Sequence, residues 1–283
     1  VQEVVSVKYC IPVSRRSLYY GCGYGKGNSS AAAPDGVKTP VFISMETFFL
    51  LILTSFQPLY IECNKIVRKQ CEQYKVPVLF LFNGKLPDGY TLKLDERNLD
   101  IDEANPGMFL KFKSALKEIY DMCDPTYILR CNATTFINFK KLHYIFSKLP
   151  RENCIAGPLI FATNYPELDT YCQGSSIILS KDVAKRLAYD ANENDPCIYK
   201  YADDLCIDIL TRTYAYKYDT ALFTARMEGL SVIPKSYDLN IQAPHVFFRI
   251  KNDFANRFEI DYELWKILHH LFDIIHYRND FMR

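Results

Sequence analysis

Short apolar runs alternating with helix-length amphipathic segments limit most strongly how this chain can fold. Phe48 to Thr54 (FFLLILT) and Val76 to Phe82 (VPVLFLF) are too continuously apolar for strands with one wet face, so each reads as a strand buried on both sides. Between them, Pro58 to Tyr74 opens on a proline suited to a first helical turn and carries Ile61, Lys65, Arg68 and Glu72 at helical spacings. Asn83-Gly84 reads as a turn that ends the second run. The acidic stretch LDERNLDIDEANPG reads as solvated loop, Asp100 and Asp102 included, leading into a helix from Met108 to Met122. Thr126 to Arg130 is the next strand. Phe136, Phe139, Leu142, Phe146 and Leu149 then mark one face of a helix opening at about Thr134 or Thr135. This repeating order predicts an α/β domain, with a mostly parallel central sheet and helices on both faces.

The second half is less regular. Gln173 to Leu179 opens with a turn, and Ser180 or Asp182 is placed to cap a helix running to Tyr189. Asp203-Asp204 precede a helical LCIDILTRTYAY, HVFFRIKN reads as extended, and Leu264, Ile267, Leu268, Leu271 and Ile275 form the apolar stripe of a last helix. Ahead of the alternation, Gly21 to Gly36 (GCGYGKGNSSAAAPDG) offers little to pack and reads as a flexible loop. Its glycines do not meet G-x-G-x-x-G, and a phosphate loop would need glycine where Tyr20 stands. Residues 1–40 are therefore expected to be an N-terminal segment and 41–283 one domain.

Composition narrows the partners. With 34 Lys and Arg against 33 Asp and Glu, the formal charge of +1 gives no electrostatic reason to expect nucleic acid or an acidic membrane as a partner. The ten cysteines form no C-x-x-C pair, which in 283 residues points to thiols in a reducing compartment. No run approaches the roughly 18–20 apolar residues of a membrane span, and no basic-then-apolar signal pattern stands at the N-terminus. The expectation is a chain of the cytoplasm without stable membrane insertion, so the sequons at Asn28 and Asn132 would stay unmodified. His269, His270 and His276 have no matching acidic or cysteine set and read as surface residues of the last helix.

Open α/β sheets bind ligands beyond the carboxyl ends of their strands, so the loops after Thr54, Phe82 and Arg130 are expected to line one crevice. Arg130 and Asn132 there would bring a cation and free backbone N–H groups to a phosphate, or Arg130 is a solvated strand end and Thr134 or Thr135 a plain helix cap. Asp203 and Asp204 are accounted for by the helix dipole alone, yet an ionised carboxylate in a cleft is also what takes a proton from an attacking hydroxyl. In PHVFFRIKN, alternation puts His245, Phe247, Arg249 and Lys251 on one side, converging on a diphosphate or forming the basic face of an edge strand.

The order of FFLLILTS, NKIVRKQCEQYKVPVLFLFNGK, DPTYILRCNATTFINFKKL, YCQGSSIILSKDVAKRL, YADDLCIDIL and HVFFRIKNDFANRFEID resembles the GT-A-fold glycosyltransferases of the β-galactosyltransferase-like type, particularly those of large DNA viruses. The resemblance runs from about Phe48 to Tyr277. It implies a Rossmann-like GT-A sheet whose half at about 41–150 holds the nucleotide sugar and whose half at about 151–283 holds the acceptor and the catalytic groups. It places Thr54, Ser55 and Arg68 near a UDP-sugar, joined by Arg130, Asn132, His245, Arg249 and Lys251, and Gly174 and Ser175 against the donor sugar and acceptor. Family members have D-x-D where this chain has Arg130-Cys131-Asn132, so Mn²⁺ or Mg²⁺ would be left with Asn132 and His245. Asp203-Asp204 resembles the acidic pair whose second member is the base, which makes Asp204 the expected catalytic group. The implied activity is inverting transfer, xylose before galactose, from a UDP-sugar to an oligosaccharide or glycoprotein, with fucose of a viral capsid glycan as acceptor and the host cytoplasm as location. A glycan- or nucleotide-binding module that has lost catalysis is the alternative.

Overall fold

In the computed structural model, residues 48–101, 104–163, 165, 168–233, 244–252 and 255–281 are described, the last nine without their side chains. The Gly21 to Gly36 run, Asp102, Asn28 and the side chains of Ile275 and His276 lie outside these residues. Strand β1 (Phe48–Leu53) is buried throughout because it has a helical layer on each side. Phe48, Leu50 and Ile52 enter one core, while Phe49, Leu51 and Leu53 enter the other. Helix α1 (Pro58–Tyr74) starts on its proline and stops at Lys75, whose φ of 54° is left-handed. The chain returns as β2 (Val78–Asn83), parallel to β1 with Leu50 opposite Val78.

The outer strand β3 (Glu96–Leu99) follows, then α2 (Gly107–Met122) and β4 (Tyr127–Asn132), which lies parallel to β1 on its other side. The next elements are β5 (Thr135–Ile137), α3 (Phe139–Phe146), β6 (Cys154–Gly157), β7 (Leu159–Phe161), β8 (Thr170–Cys172) and β9 (Ser176–Ser180). Helices α4 (Lys181–Tyr189), α5 (Pro196–Lys200) and α6 (Asp203–Thr211) then lead to β10 (Tyr216–Asp219), β11 (Thr224–Glu228), β12 (Phe247–Lys251) and α7 (Arg257–Phe281).

The central sheet has seven strands in the order β10-β6-β9-β4-β1-β2-β3, with β9 antiparallel to both its neighbours and the other pairs parallel. Helices α1, α3 and α7 contribute Val67, Leu142 and Trp265 to the core on one face. From α2, α4 and α6 come Leu116, Leu187 and Ile207 on the other. The fold is thus mixed α/β with a mostly parallel sheet and helices on both faces, as the alternation predicts. The described cysteines are free thiols, and no helix among the described residues is long and apolar enough to cross a membrane.

Several segments differ from their sequence reading, and the helix expected over LCIDILTRTYAY stops at Thr211, Tyr216 opening β10 beside β6. The helix expected from Thr134 or Thr135 begins at Phe139 instead, because Thr135–Ile137 pairs antiparallel with β12 as part of a three-stranded sheet, β11-β12-β5. β-Branched residues and an available partner strand outweigh the helical spacing there. HVFFRIKN accordingly supplies the middle strand of that sheet, not an edge. The acidic stretch is also not all loop, since Glu96–Leu99 forms β3. On this outermost strand, Arg97 donates to Glu118 at 2.5 Å and to the carbonyls of Leu94 and Glu96 at 3.0 and 2.7 Å. Ser180 precedes α4 without capping it; its hydroxyl bonds the backbone of Cys154 and the Asp182 carboxylate, tying β9 to β6.

Leu129 at the centre of β4 is fully buried. Leu129→Ala is expected to lose roughly 2–5 kcal/mol of stability with an unchanged denaturant slope, read by urea unfolding.

Candidate functional site

The chain winds outward from β1 through β2 to β3 and then crosses back to β4 on the far side of β1, so the strand order reverses between β1 and β4. A crevice opens beyond the carboxyl ends of strands at such a point. Here the ends are held together by the Ala133 N–H donating to the Leu53 carbonyl at 2.9 Å. The crevice contains a cavity of about 300 Å³ lined by Thr54 and Ser55 after β1, by Asn132 at the end of β4 and by Thr134 beyond it. Thr54 is fixed from below, its hydroxyl accepting from the Asn64 amide at 2.9 Å.

Three cations line the same cavity. Arg249 arrives because β5 follows directly on β4 and pairs Thr135 with Arg249 of β12. The Ile250 N–H donates to the Thr134 carbonyl at 3.1 Å, and the Arg249 guanidinium donates to the Thr134 hydroxyl. Burial pushes the Arg249 pKa down from its ordinary value, although a guanidinium stays protonated at neutral pH. Lys251, two residues further along β12, lies on the same face. Arg257, in the first turn of α7, donates to Asp261 at 3.0 Å and to the Tyr60 hydroxyl at 3.3 Å, so α7 and α1 together aim it.

A second cluster adjoins the first through β4. Arg130, two residues before Asn132, is 2% exposed and does not line the cavity. Its guanidinium is paired with Asp203 of α6 and donates to the Gly174 carbonyl. The Gly174 N–H in turn donates to Asp204 at 3.0 Å, and the Cys172 N–H to Asp208 at 2.5 Å. Asp204 therefore holds the turn that follows β8 directly, Asp203 holds it through Arg130, and Asp208 holds the last residue of β8. A Cβ at Gly174 would displace the Arg130 guanidinium from its place and stand 3.3 Å from the Asp204 carboxylate. The turn is joined to the first cluster by the Thr135 hydroxyl, which donates to the Ser175 carbonyl at 2.7 Å, and by Arg226 of β11, which donates to Gln173 at 3.0 Å.

Burial raises the Asp204 pKa, the neighbouring charge of Asp203 adds to the rise, and Arg130 with the N–H groups of Gly174 and Leu205 opposes it. Burial likewise raises Asp208 to about 6.

The structure thus brings Thr54, Ser55, Asn132, Arg249 and Lys251 together around one cavity, and Arg130, Gly174, Asp203 and Asp204 into one hydrogen-bonded cluster next to it. Two residues lie apart from both. Arg68 points over β2 and β3, donating to Asp95 at 2.7 Å and Glu96 at 2.6 Å with its guanidinium 4.6 Å from the Phe80 ring centre. It borders a larger cavity of about 900 Å³ at the amino ends of β2 and β4, away from the crevice. The resemblance places Arg68 near the nucleotide sugar; Asp95 and Glu96 hold it elsewhere, in a segment that reads as loop in the sequence. His245 is buried edge-on against Phe248, and burial with the charge of Lys141 lowers its pKa. It does not line the cavity. Sequence reasoning passed over Tyr60, Arg257 and Asp208; the Arg257–Asp261 spacing of four was the available signal for the second of these.

A divalent cation does not fit these residues. Among the described residues the cavity lining holds hydroxyls, amides and cations but no carboxylate, Asn132 lines it without His245, and no group of three or more His, Cys, Asp or Glu side chains is placed to hold a metal.

Asp203→Ala would leave a buried guanidinium unpaired and is expected to cost about 3–5 kcal/mol in urea unfolding. Asp208 binds its proton more tightly folded than unfolded. Its contribution to stability is therefore full below the ordinary aspartate pKa near ~4 and lost as pH rises through about 6. Asp208→Asn, which can still accept from Cys172, should flatten that loss in a melting-temperature profile across this window.

No family model matches the sequence, and no curated protein matches it. Among solved structures, the chain is similar to a glycosyltransferase involved in the glycosylation of the major capsid of PBCV-1, at 11% identity and TM-score 0.49 over 77% of this chain and 99% of that one. It is also similar to the galactosyltransferase LgtC in complex with donor and acceptor sugar analogues, at 11% identity and TM-score 0.48 over 78% and 95% of the two chains. The apo-form glycosyltransferase GlyE of Streptococcus pneumoniae TIGR4 matches at 11% identity and TM-score 0.35, over 61% and 45%.

Proposed function

We propose that the chain is a GT-A glycosyltransferase that moves a sugar from a UDP-sugar to a glycan hydroxyl with inversion. The observation that carries this reading is the cationic cavity at the β1/β4 switch point, where Arg249, Lys251 and Arg257 face hydroxyl and amide donors. Such a set suits a diphosphate, and the acidic cluster of α6 adjoins it. In the reaction, the acceptor oxygen forms a bond to the anomeric carbon as the bond from that carbon to the β-phosphate oxygen breaks. The electron pair leaves with UDP, and the hydroxyl proton passes to Asp204. Burial and the charge of Asp203 make Asp204 a stronger base than an ordinary aspartate, while backbone N–H bonds hold it in place. Charge growing on the leaving diphosphate is met by the three cations.

The resemblance carried by the sequence segments favours xylose as the sugar and fucose of a viral capsid glycan as the acceptor, with galactose the rival donor. The cytoplasm of a host cell is the matching location. A panel of UDP-sugars with product masses separates the donors, and comparable turnover with UDP-galactose would remove xylose specificity.

Asp204→Asn keeps an oxygen to accept from Gly174 but cannot take the proton. It is expected to lower turnover by roughly 10²–10⁴ while leaving UDP affinity near that of the native chain. Undiminished UDP release by this variant would refute the base assignment, and no UDP release by the native chain with any donor would favour a binding module.

A further inference from the structure

We propose that the β1/β4 cavity binds its diphosphate without a divalent cation, the compensating charge coming from Arg249, Lys251 and Arg257. The proposal rests on the glycosyl-transfer reading for the identity of the ligand, but its argument comes from the charges around the cavity. A metal-bridged diphosphate needs carboxylates to hold the ion. On β4 the two positions that face this side near the carboxyl end are Arg130 and Asn132. Arg130 is committed to Asp203 and Gly174, and Asn132 brings a neutral amide. A dication placed in this cavity would meet cations on several sides and, among the described residues, no anion in its lining.

The cations are also arranged to be neutralised from outside. Among the described residues, the Arg249 guanidinium meets only the Thr134 hydroxyl and, at 3.7 Å, the Glu228 carboxylate, though its side chain is 13% exposed. A largely buried guanidinium with donors left over is costly unless an anion completes it. Lys251 is exposed and makes no ion pair among the described residues. Arg257 is held by Asp261, whose carboxylate is fully buried and also accepts from Asn252, so this guanidinium is oriented before any ligand arrives. The positive end of the α1 dipole, at Gln57 on the cavity wall, adds to the same field.

Calorimetry on the full chain tests this with UDP, inorganic pyrophosphate and MnCl₂ as probes. UDP is expected to bind in chelator and in Mn²⁺ with affinities within about twofold. Lys251→Gln, at an exposed position, is expected to weaken UDP and pyrophosphate by roughly tenfold in chelator. UDP bound only when Mn²⁺ is present would overturn the metal-free site, and unchanged affinities in Lys251→Gln would overturn the assignment of the compensating charge to Lys251, either result leaving glycosyl transfer standing. Pyrophosphate bound in chelator but UDP bound no tighter would do the reverse, supporting the anion site and removing the nucleotide. Binding of neither probe under either condition would overturn both.

Discussion

A guanidinium sealed beneath the carboxyl edge of the sheet fixes the geometry on which the rest of the site is built. Arg130 stands on β4 in the middle of the sheet, and water is excluded from it on nearly every side. It therefore requires an anion and a carbonyl, and those come from Asp203 at the start of α6 and from Gly174 in the turn after β8. One side chain thus sets the distances between a central strand, a helix N-terminus and a turn far apart in sequence. Asp204 inherits its position from this arrangement, because its oxygen accepts from the same Gly174 whose carbonyl Arg130 holds.

Much of the fold was legible because its central strands are buried on both faces and so contain almost nothing but apolar residues. FFLLIL and the helix from Pro58 to Tyr74 could be bounded almost to the residue, since a proline opens the helix and the apolar run ends at a polar one. What escaped reading was secondary structure decided by partners. Phe136 has the helical spacing of the apolar residues that follow but lies in a strand because β12 runs alongside, and Glu96 of β3 is a buried acid whose partner, Arg68, lies 28 residues away. A local pattern does not contain either neighbour.

The site divides on similar lines. Thr54, Ser55 and Asn132 were found because a strand end can be located in sequence and the crevice rule then places it; Arg249 and Lys251 followed from period-two alternation in an extended segment. The same alternation was misleading for His245, which precedes the paired part of β12 and packs into the core. Arg130 was readable as a cation at the right place, but not as one already neutralised, because its counter-ion lies 73 residues away. That pairing is also what turns the cavity's electrostatics over to the small sheet and the first turn of α7.

The acidic rim of the large sheet has a bearing on how the protein behaves in company. An outermost parallel strand normally offers a row of free carbonyls to which a foreign strand can add, the first step toward aggregation. Here Arg97 folds back over the carbonyls of Leu94 and Glu96. An incoming chain would have to displace Arg97 before bonding those two carbonyls, which makes strand addition at this edge harder.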